Sequence, residues 1–140
     1  MYSSLDVSTS GLVAQRMRLD AISSNMANLT TTHNEAGEAQ AYQPKFVVFA
    51  PDEQVQAMTG APGVKVTSVE TAQVEPRWRY QPGHPDAVKE GERKGWVAYP
   101  NIDMTTETVD AMEATRAYEA NVGVIEATKS MAAQTLRILG

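Results

Sequence analysis

The stretch that decides the fold runs from Pro100 to Gly140 and reads PNIDMTTETVDAMEATRAYEANVGVIEATKSMAAQTLRILG. Steps of four and three residues from Ala111 reach Thr115, Tyr118, Val122, Ile125, Lys129, Ala132, Leu136 and Leu139. That spacing lines one face of a helix, with one charged interruption. A second row, Ala120, Val124, Ala127, Met131 and Ile138, runs beside the first, and the two together make a stripe wider than one partner helix covers. The ends agree with a helix: Asp103, Thr105 or Thr106 offers an N-cap oxygen, Glu107 and Asp110 stand at the positive end of the dipole, and Arg137 stands at the negative end. At about 1.5 Å per residue, Thr106 to Leu139 is a rod of roughly 50 Å. Ala117, Ala120, Gly123, Ala127, Ala132 and Ala133 keep that rod thin, which suits close approach of several backbones.

The other end of the chain repeats the pattern. Leu5, Leu12, Leu19 and Met26 recur every seven residues, Ile22 and Leu29 supply the complementary row, and Ala14, Ala21, Ser24 and Ala27 keep the surface thin. The helical pattern is clear from Gly11 onward. Before it, Ser3, Ser4, Ser8, Thr9 and Ser10 favour caps and turns over helix interiors.

Between the helices the sequence turns polar at Thr30 and then reads as short strands. Phe46–Phe49, Val64–Val69, Trp78–Tyr80 and Trp96–Tyr99 are rich in β-branched and aromatic residues. Turn-forming stretches separate them at Pro51-Asp52, Thr59–Gly63 and Pro82–Asp86. So few large apolar side chains predict one small sheet with exposed edges.

The chain is one domain's length and carries 12 basic against 17 acidic residues, a net charge of −5. No basic run is dense enough to follow a phosphate backbone, so nucleic acid is a poor partner. No apolar stretch is long enough to cross a bilayer, and Met1–Asp6 lacks the basic start and apolar core of a cleavable signal. Without cysteine there are no disulfides, thiolate metal sites or cysteine nucleophiles. His33 and His84, the two histidines, lack a second ligand at helical spacing; Gly91–Gly95 lacks the Lys-Ser/Thr ending of a phosphate loop, and no Gly-x-Ser-x-Gly elbow occurs. Glu107, Asp110, Glu113, Glu119 and Glu126 read as a solvated helix face or as partners of Arg16, Arg18, Arg116 and Lys129. Trp78 and Trp96 read as sheet-core or helix-contact residues. These absences predict no catalytic residue, cofactor, metal or small-molecule substrate.

The expected architecture is α+β. Long N- and C-terminal helices, in residues 1–32 and 101–140, pack as an antiparallel coiled-coil-like pair, with a small β-rich central domain, 33–100, inserted between them. Burying the second apolar face of each helix needs something to cover it, a role that identical or related subunits can fill, and a head-to-tail contact that does not close gives a helical polymer.

The residues also carry a resemblance. Ser10-Gly11-Leu12, Ala14-Gln15-Arg16, Arg18-Leu19-Asp20 and Asn25-Met26-Ala27-Asn28, followed by Thr31, resemble the N-terminal signature of bacterial flagellar rod and hook proteins. Glu113 to Asn121 and Lys129-Ser130-Met131, with Leu136, resemble their C-terminal signature. Tyr80 to Ala87 and Tyr99-Pro100-Asn101-Ile102-Asp103 are similar to segments of the proximal rod members. Two departures fall in the outer loop: Val88 to Gly95 is longer and more charged than the usual link, and Trp96 stands where tyrosine is expected.

The resemblance implies a structural subunit of the flagellar basal-body rod in the periplasm, exported by the flagellar type III apparatus without signal cleavage. Its implied neighbours are copies of itself, the rod proteins FlgB, FlgF and FlgG, and the basal-body adaptor FliE. Asn25 and Asn28 would belong to packed inner helices. With the helical seams, the expected assembly surface is Leu12, Leu19, Ile22, Asn25, Met26, Asn28, Leu29, Tyr118, Asn121, Val122, Ile125, Lys129, Met131, Leu136 and Leu139. A soluble coiled-coil adaptor binding one partner through Ala111 to Leu139 is the alternative from another class; it predicts a small closed oligomer.

Overall fold

The computed structural model describes residues 2–139, with side-chain surroundings for 4–138. In chain order the elements are α1 (Tyr2–Ala27), β1 (Lys45–Asp52), α2 (Glu53–Thr59), β2 (Gly63–Thr71), β3 (Arg77–Tyr80), β4 (Trp96–Tyr99) and α3 (Met104–Leu139). Long helices at both ends enclose a small β-rich middle, the α+β arrangement expected from the sequence.

The two long helices pack antiparallel. Asn25 meets Glu107, Arg18 meets Asp110 and Glu113, and Gly11 faces Asn121, so positions fall on α1 as they rise on α3. Small residues set the separation: Ala14, Ala21 and Ala114 are buried at the contact, beside Ile22. At Gly11 a β-carbon would come within 2.9 Å of the Asn121 amide nitrogen, so a larger residue there requires the Asn121 side chain to shift. With 36 residues against 26, α3 is the longer helix by almost three turns.

Helix α1 starts well before Gly11, where the sequence pattern becomes clear. The hydroxyls that argued for caps are absorbed instead: Thr9 Oγ1 donates to the Leu5 carbonyl at 2.7 Å and Ser10 Oγ to the Val7 carbonyl at 2.7 Å. Ser10 Oγ also accepts the Val64 N–H at 3.0 Å and so ties β2 to α1. A residue type that weakens an isolated helix is therefore satisfied by a neighbouring strand.

Strands β1 and β2 form an antiparallel pair from Lys45↔Thr71 to Asp52↔Gly63, with a register shift between Val48 and Phe49. Asp52 ends β1 and caps α2, its carboxylate accepting from the Gln54 and Val55 N–H groups. Pro51-Asp52 thus opens a short helix rather than a bare turn. Strands β3 and β4 pair antiparallel from Arg77↔Tyr99 to Tyr80↔Trp96. The strands make two separate two-stranded sheets, not the single sheet expected. Pro76, without an N–H to donate, stands immediately before β3 and interrupts any ladder continuing from β2. Val97 and Ile102 are buried where β4 leads into α3.

Asp103 is the N-cap of α3, its Oδ1 accepting the Thr105 N–H at 2.8 Å. Hydrogen bonds from the Thr105 and Thr106 backbone hold its carboxyl below the ordinary aspartate value of 3.8. A depressed folded-state pKa contributes stability above the unfolded value, lost as pH falls through the folded one. Asp103→Asn therefore flattens the acid limb of the helix-unfolding curve below about pH 4 while leaving the neutral fold intact. Circular dichroism at 222 nm across an acid titration reads this; identical acid limbs would exclude the cap.

Candidate functional site

The surface predicted for assembly divides into two parts, one that builds the subunit and one left uncovered. The first centres on Asn25, which is 2 % exposed. Its amide Nδ2 donates to the Lys45 carbonyl at 2.8 Å and to Glu107 Oε2 at 3.2 Å. Its Oδ1 accepts the Lys45 N–H at 2.7 Å and the Tyr42 hydroxyl at 3.4 Å. One side chain thus joins α1, the start of β1 and the first turn of α3, and spends all its donors and acceptors doing so. Burial pushes the Glu107 carboxyl above its ordinary value; the Asn25 hydrogen bond opposes that and Asp110 adds to it.

Asn28 closes the C-terminal turn of α1, donating from Nδ2 to the Ser24 carbonyl at 2.8 Å and accepting the Thr31 hydroxyl at 3.0 Å. Ile22 is buried; Leu12, Leu19, Met26 and Leu29 are half-buried. On α3, Asn121, Val122 and Ile125 are half-buried, and Asn121 Nδ2 bonds back to the Ala117 carbonyl. Arg18 pairs with Asp110 and Glu113, each at 3.4 Å, which selects it from the cations considered for these acids. Such part-exposed pairs add about 0–1 kcal/mol each and set register more than strength.

The buried positions of α3 do not follow the large apolar residues. Ala114 and Thr128 are buried, at 0 and 5 %, whereas Thr115 and Lys129 are exposed. Thr128 donates its hydroxyl to the Val124 carbonyl at 2.8 Å, which allows it to be buried. The second part of the predicted surface is open: Tyr118, Met131 and Leu136 are 37, 57 and 71 % exposed, and Val124 and Ile138 stand with them. Leu139 ends α3, but its side chain lies outside the described residues. Near the chain ends, Leu5 of α1 and Ile125, Thr128, Ala132 and Leu136 of α3 line an apolar groove of about 380 Å³.

The sequence did not reveal how the two histidines are used. Both approach Asp86, His33 Nδ1 at 3.6 Å and His84 Nδ1 at 3.9 Å from Oδ2, while the Thr32 hydroxyl donates to the same oxygen at 2.6 Å. The Thr32 hydrogen bond, and then the two imidazoles, hold the Asp86 carboxyl below its ordinary value against the opposing effect of burial. His84 Nδ1 accepts the Asp86 N–H at 3.1 Å. These groups fasten the segment after α1 to the Pro82–Val88 turn. The described residues contain no cluster of three or more metal-ligating side chains and no helix long and apolar enough to cross a membrane.

Comparison with known proteins matches both ends of the chain to flagellar rod families. Residues 5–32 match the family described as flagella basal body rod protein, and residues 93–138 match the C-terminal family of the flagellar basal body rod FlgEFG proteins. The chain is 37 % identical to the flagellar basal-body rod protein FlgC of Borreliella burgdorferi, with 99 % of this chain and 97 % of the relative covered. It is 40 % identical to FlgC of Escherichia coli O6:H1, covering 95 and 93 %, and 38 % identical to FlgC of Bacillus subtilis, covering 98 and 97 %. A helix pair matching rod families at both ends, and similarity along almost the whole length, place the chain in the FlgC family of flagellar basal-body rod proteins.

Proposed function

We propose that the chain is a non-enzymatic structural subunit of the proximal rod, polymerising through its terminal helices into part of the torque-transmitting shaft and the wall of the export channel. The observation that carries this reading is the apolar surface that α3 leaves uncovered. On a 36-residue helix packed against α1, Tyr118 and Leu136 on one side and Val124, Met131 and Ile138 on another remain exposed. Exposed apolar area of this kind marks an interaction surface, and the names of the relatives supply the assembly it fits. The division into residues 1–32, 33–100 and 101–140 follows, with the outer helices inside the polymer and the middle outside. The neighbours in this reading are copies of the chain, FlgB, FlgF, FlgG and FliE. The site of assembly is the periplasm, reached through the type III apparatus without signal cleavage.

Leu136→Asp tests the assignment. The residue is 71 % exposed, so the isolated subunit melts within about 0.5 kcal/mol of the parent. Cells relying on the variant fail to complete rods and do not swim. Normal rods built from the Leu136→Asp chain would remove α3 from the subunit interface. A small closed oligomer under assembly conditions would favour an adaptor instead.

A further inference from the structure

Charge is unevenly placed along the chain. The β3–β4 hairpin, residues 77–99, carries Arg77, Arg79, Lys89, Arg93 and Lys94 against three acidic residues, in a chain whose net charge is −5. One of the three, Asp86, is already engaged by Thr32. The hairpin holds a cleft of about 720 Å³ walled by Tyr80, Pro82 and Val88, with Lys89 and Lys94 among its lining. Tyr80 is 63 % exposed and meets Trp96 edge-on, with ring centroids 5.7 Å apart. Gly95 sits beneath the Tyr80 ring at φ 83°, where a β-carbon would approach a ring carbon to 2.9 Å. Among the described residues neither Lys89 nor Lys94 is in an ion pair. The cleft is therefore aromatic with free cations, and it includes the segment in which this chain departs from the usual link.

A complementary surface lies at the α1–α2 corner. Val13, Val55 and Met58 line a shallow groove of about 350 Å³ with Asp6, and no basic residue contributes to it. Met58 is 83 % and Val13 55 % exposed. Asp52 and Glu53 stand at the start of α2, outside the groove lining, with the Asp52 carboxylate accepting from the Gln54 and Val55 N–H groups. The corner surrounds Ser10, whereas the hairpin is fastened beyond the other end of α1 through Thr32 and Asp86. Ser10 and Asn25 alone are about 22 Å apart along the helix, so one molecule cannot join the two surfaces.

We infer that the β3–β4 hairpin of one copy docks on the α1–α2 corner of the next. Lys89 and Lys94 then face Asp6 and Glu53, and the Tyr80–Trp96 pair covers Met58 and Val13, a contact that suits a polarisable thioether. The two patches differ, so the contact is heterologous and propagates rather than closing. It uses none of the exposed α3 residues invoked for rod assembly and goes beyond that reading.

The chain has no cysteine, so introduced thiols report the contact cleanly. Full-length Met58→Cys and Tyr80→Cys chains are mixed in equal amounts and oxidised at low salt. Chance pairing makes the mixed disulfide about as abundant as the two like-with-like species together; the heterologous contact raises the ratio of mixed to like-with-like disulfide about fivefold, an electrostatic preference that disappears near 1 M salt, where the screening length is about 3 Å. Lys89→Glu with Lys94→Glu in the Tyr80→Cys chain abolishes the excess. Asp6→Lys with Glu53→Lys in the partner chain restores it. Circular dichroism checks that each variant is folded, and if a charge variant unfolds the salt series decides alone. Chance proportions, an excess indifferent to salt, or failure of folded reversed pairs to recover would overturn the inference. Leu136→Asp leaves the excess unchanged, which separates this contact from the helix-mediated one.

Discussion

Asn25→Asp lowers the melting temperature by about 10 °C or more, although the two side chains have nearly the same shape. The native amide donates to the Lys45 carbonyl and to Glu107 while accepting from the Lys45 N–H and the Tyr42 hydroxyl. A carboxylate keeps both acceptor bonds and turns both donor bonds into oxygen facing oxygen, in a site only 2 % exposed. Each buried polar group left unpaired costs about 1–3 kcal/mol. Repulsion from Glu107 adds to that, so a total of about 3 kcal/mol or more is expected, which for a chain of this length is roughly 10 °C. The variant also has a reversed pH response. Protonation restores a donor, so its deficit shrinks as the solution is acidified toward the pKa of the new carboxyl. Thermal melts at two pH values, with hydrogen exchange at Lys45 and in the first turn of α3, measure both effects. A melting temperature within about 2 °C of the parent would show that the junction does not hold the three elements together.

Ala114→Leu is the second large effect. Ala114 is fully buried on the face of α3 that meets α1, where Gly11 lies close against the Asn121 side chain. Three more carbons must displace one helix, and overpacking of this kind costs about 1–3 kcal/mol, occasionally more. Val124→Leu makes a smaller change on the open face, where the residue is 48 % exposed, and stays within about 0.5 kcal/mol in the isolated subunit. Denaturant unfolding of the two variants side by side gives the comparison. If Ala114→Leu were neutral and Thr115→Leu costly, the contact would run along the face marked by the seven-residue repeat.

That contrast shows why helix α3 was legible and its orientation was not. Helical periodicity reports that apolar residues share a side of a helix, but a seam against a neighbour in the same chain and a seam for another subunit have the same period. Here the tight seam is built from Ala14, Ala21 and Ala114, which carry little hydrophobic weight, whereas Val124, Met131 and Leu136 stand in solvent. Val122, Ile125 and Ala132 of the seven-residue row are half-buried, so that row lies at the edge of the intramolecular contact rather than at its centre. The early start of α1 was hidden for a related reason. Ser10 looks like a helix breaker until the Val64 N–H arrives to use its hydroxyl, and α2 was hidden because Asp52 at a turn and Asp52 at a cap read alike.

The sequence by itself determined the two long helices, the four strands and the absence of cysteine chemistry, because these follow from local spacing and residue type. Its terminal motifs were also enough to point to the rod and hook proteins. Only the tertiary structure decided that Asn25 joins three elements, that Thr32 and both histidines meet Asp86, and that a basic aromatic hairpin and an acidic apolar corner stand at different ends of the molecule. The physical reason is the range of the interaction. Propensity and periodicity act within a few residues, whereas hydrogen bonds between residues 25 and 107 or 32 and 86 exist only after the chain has closed on itself.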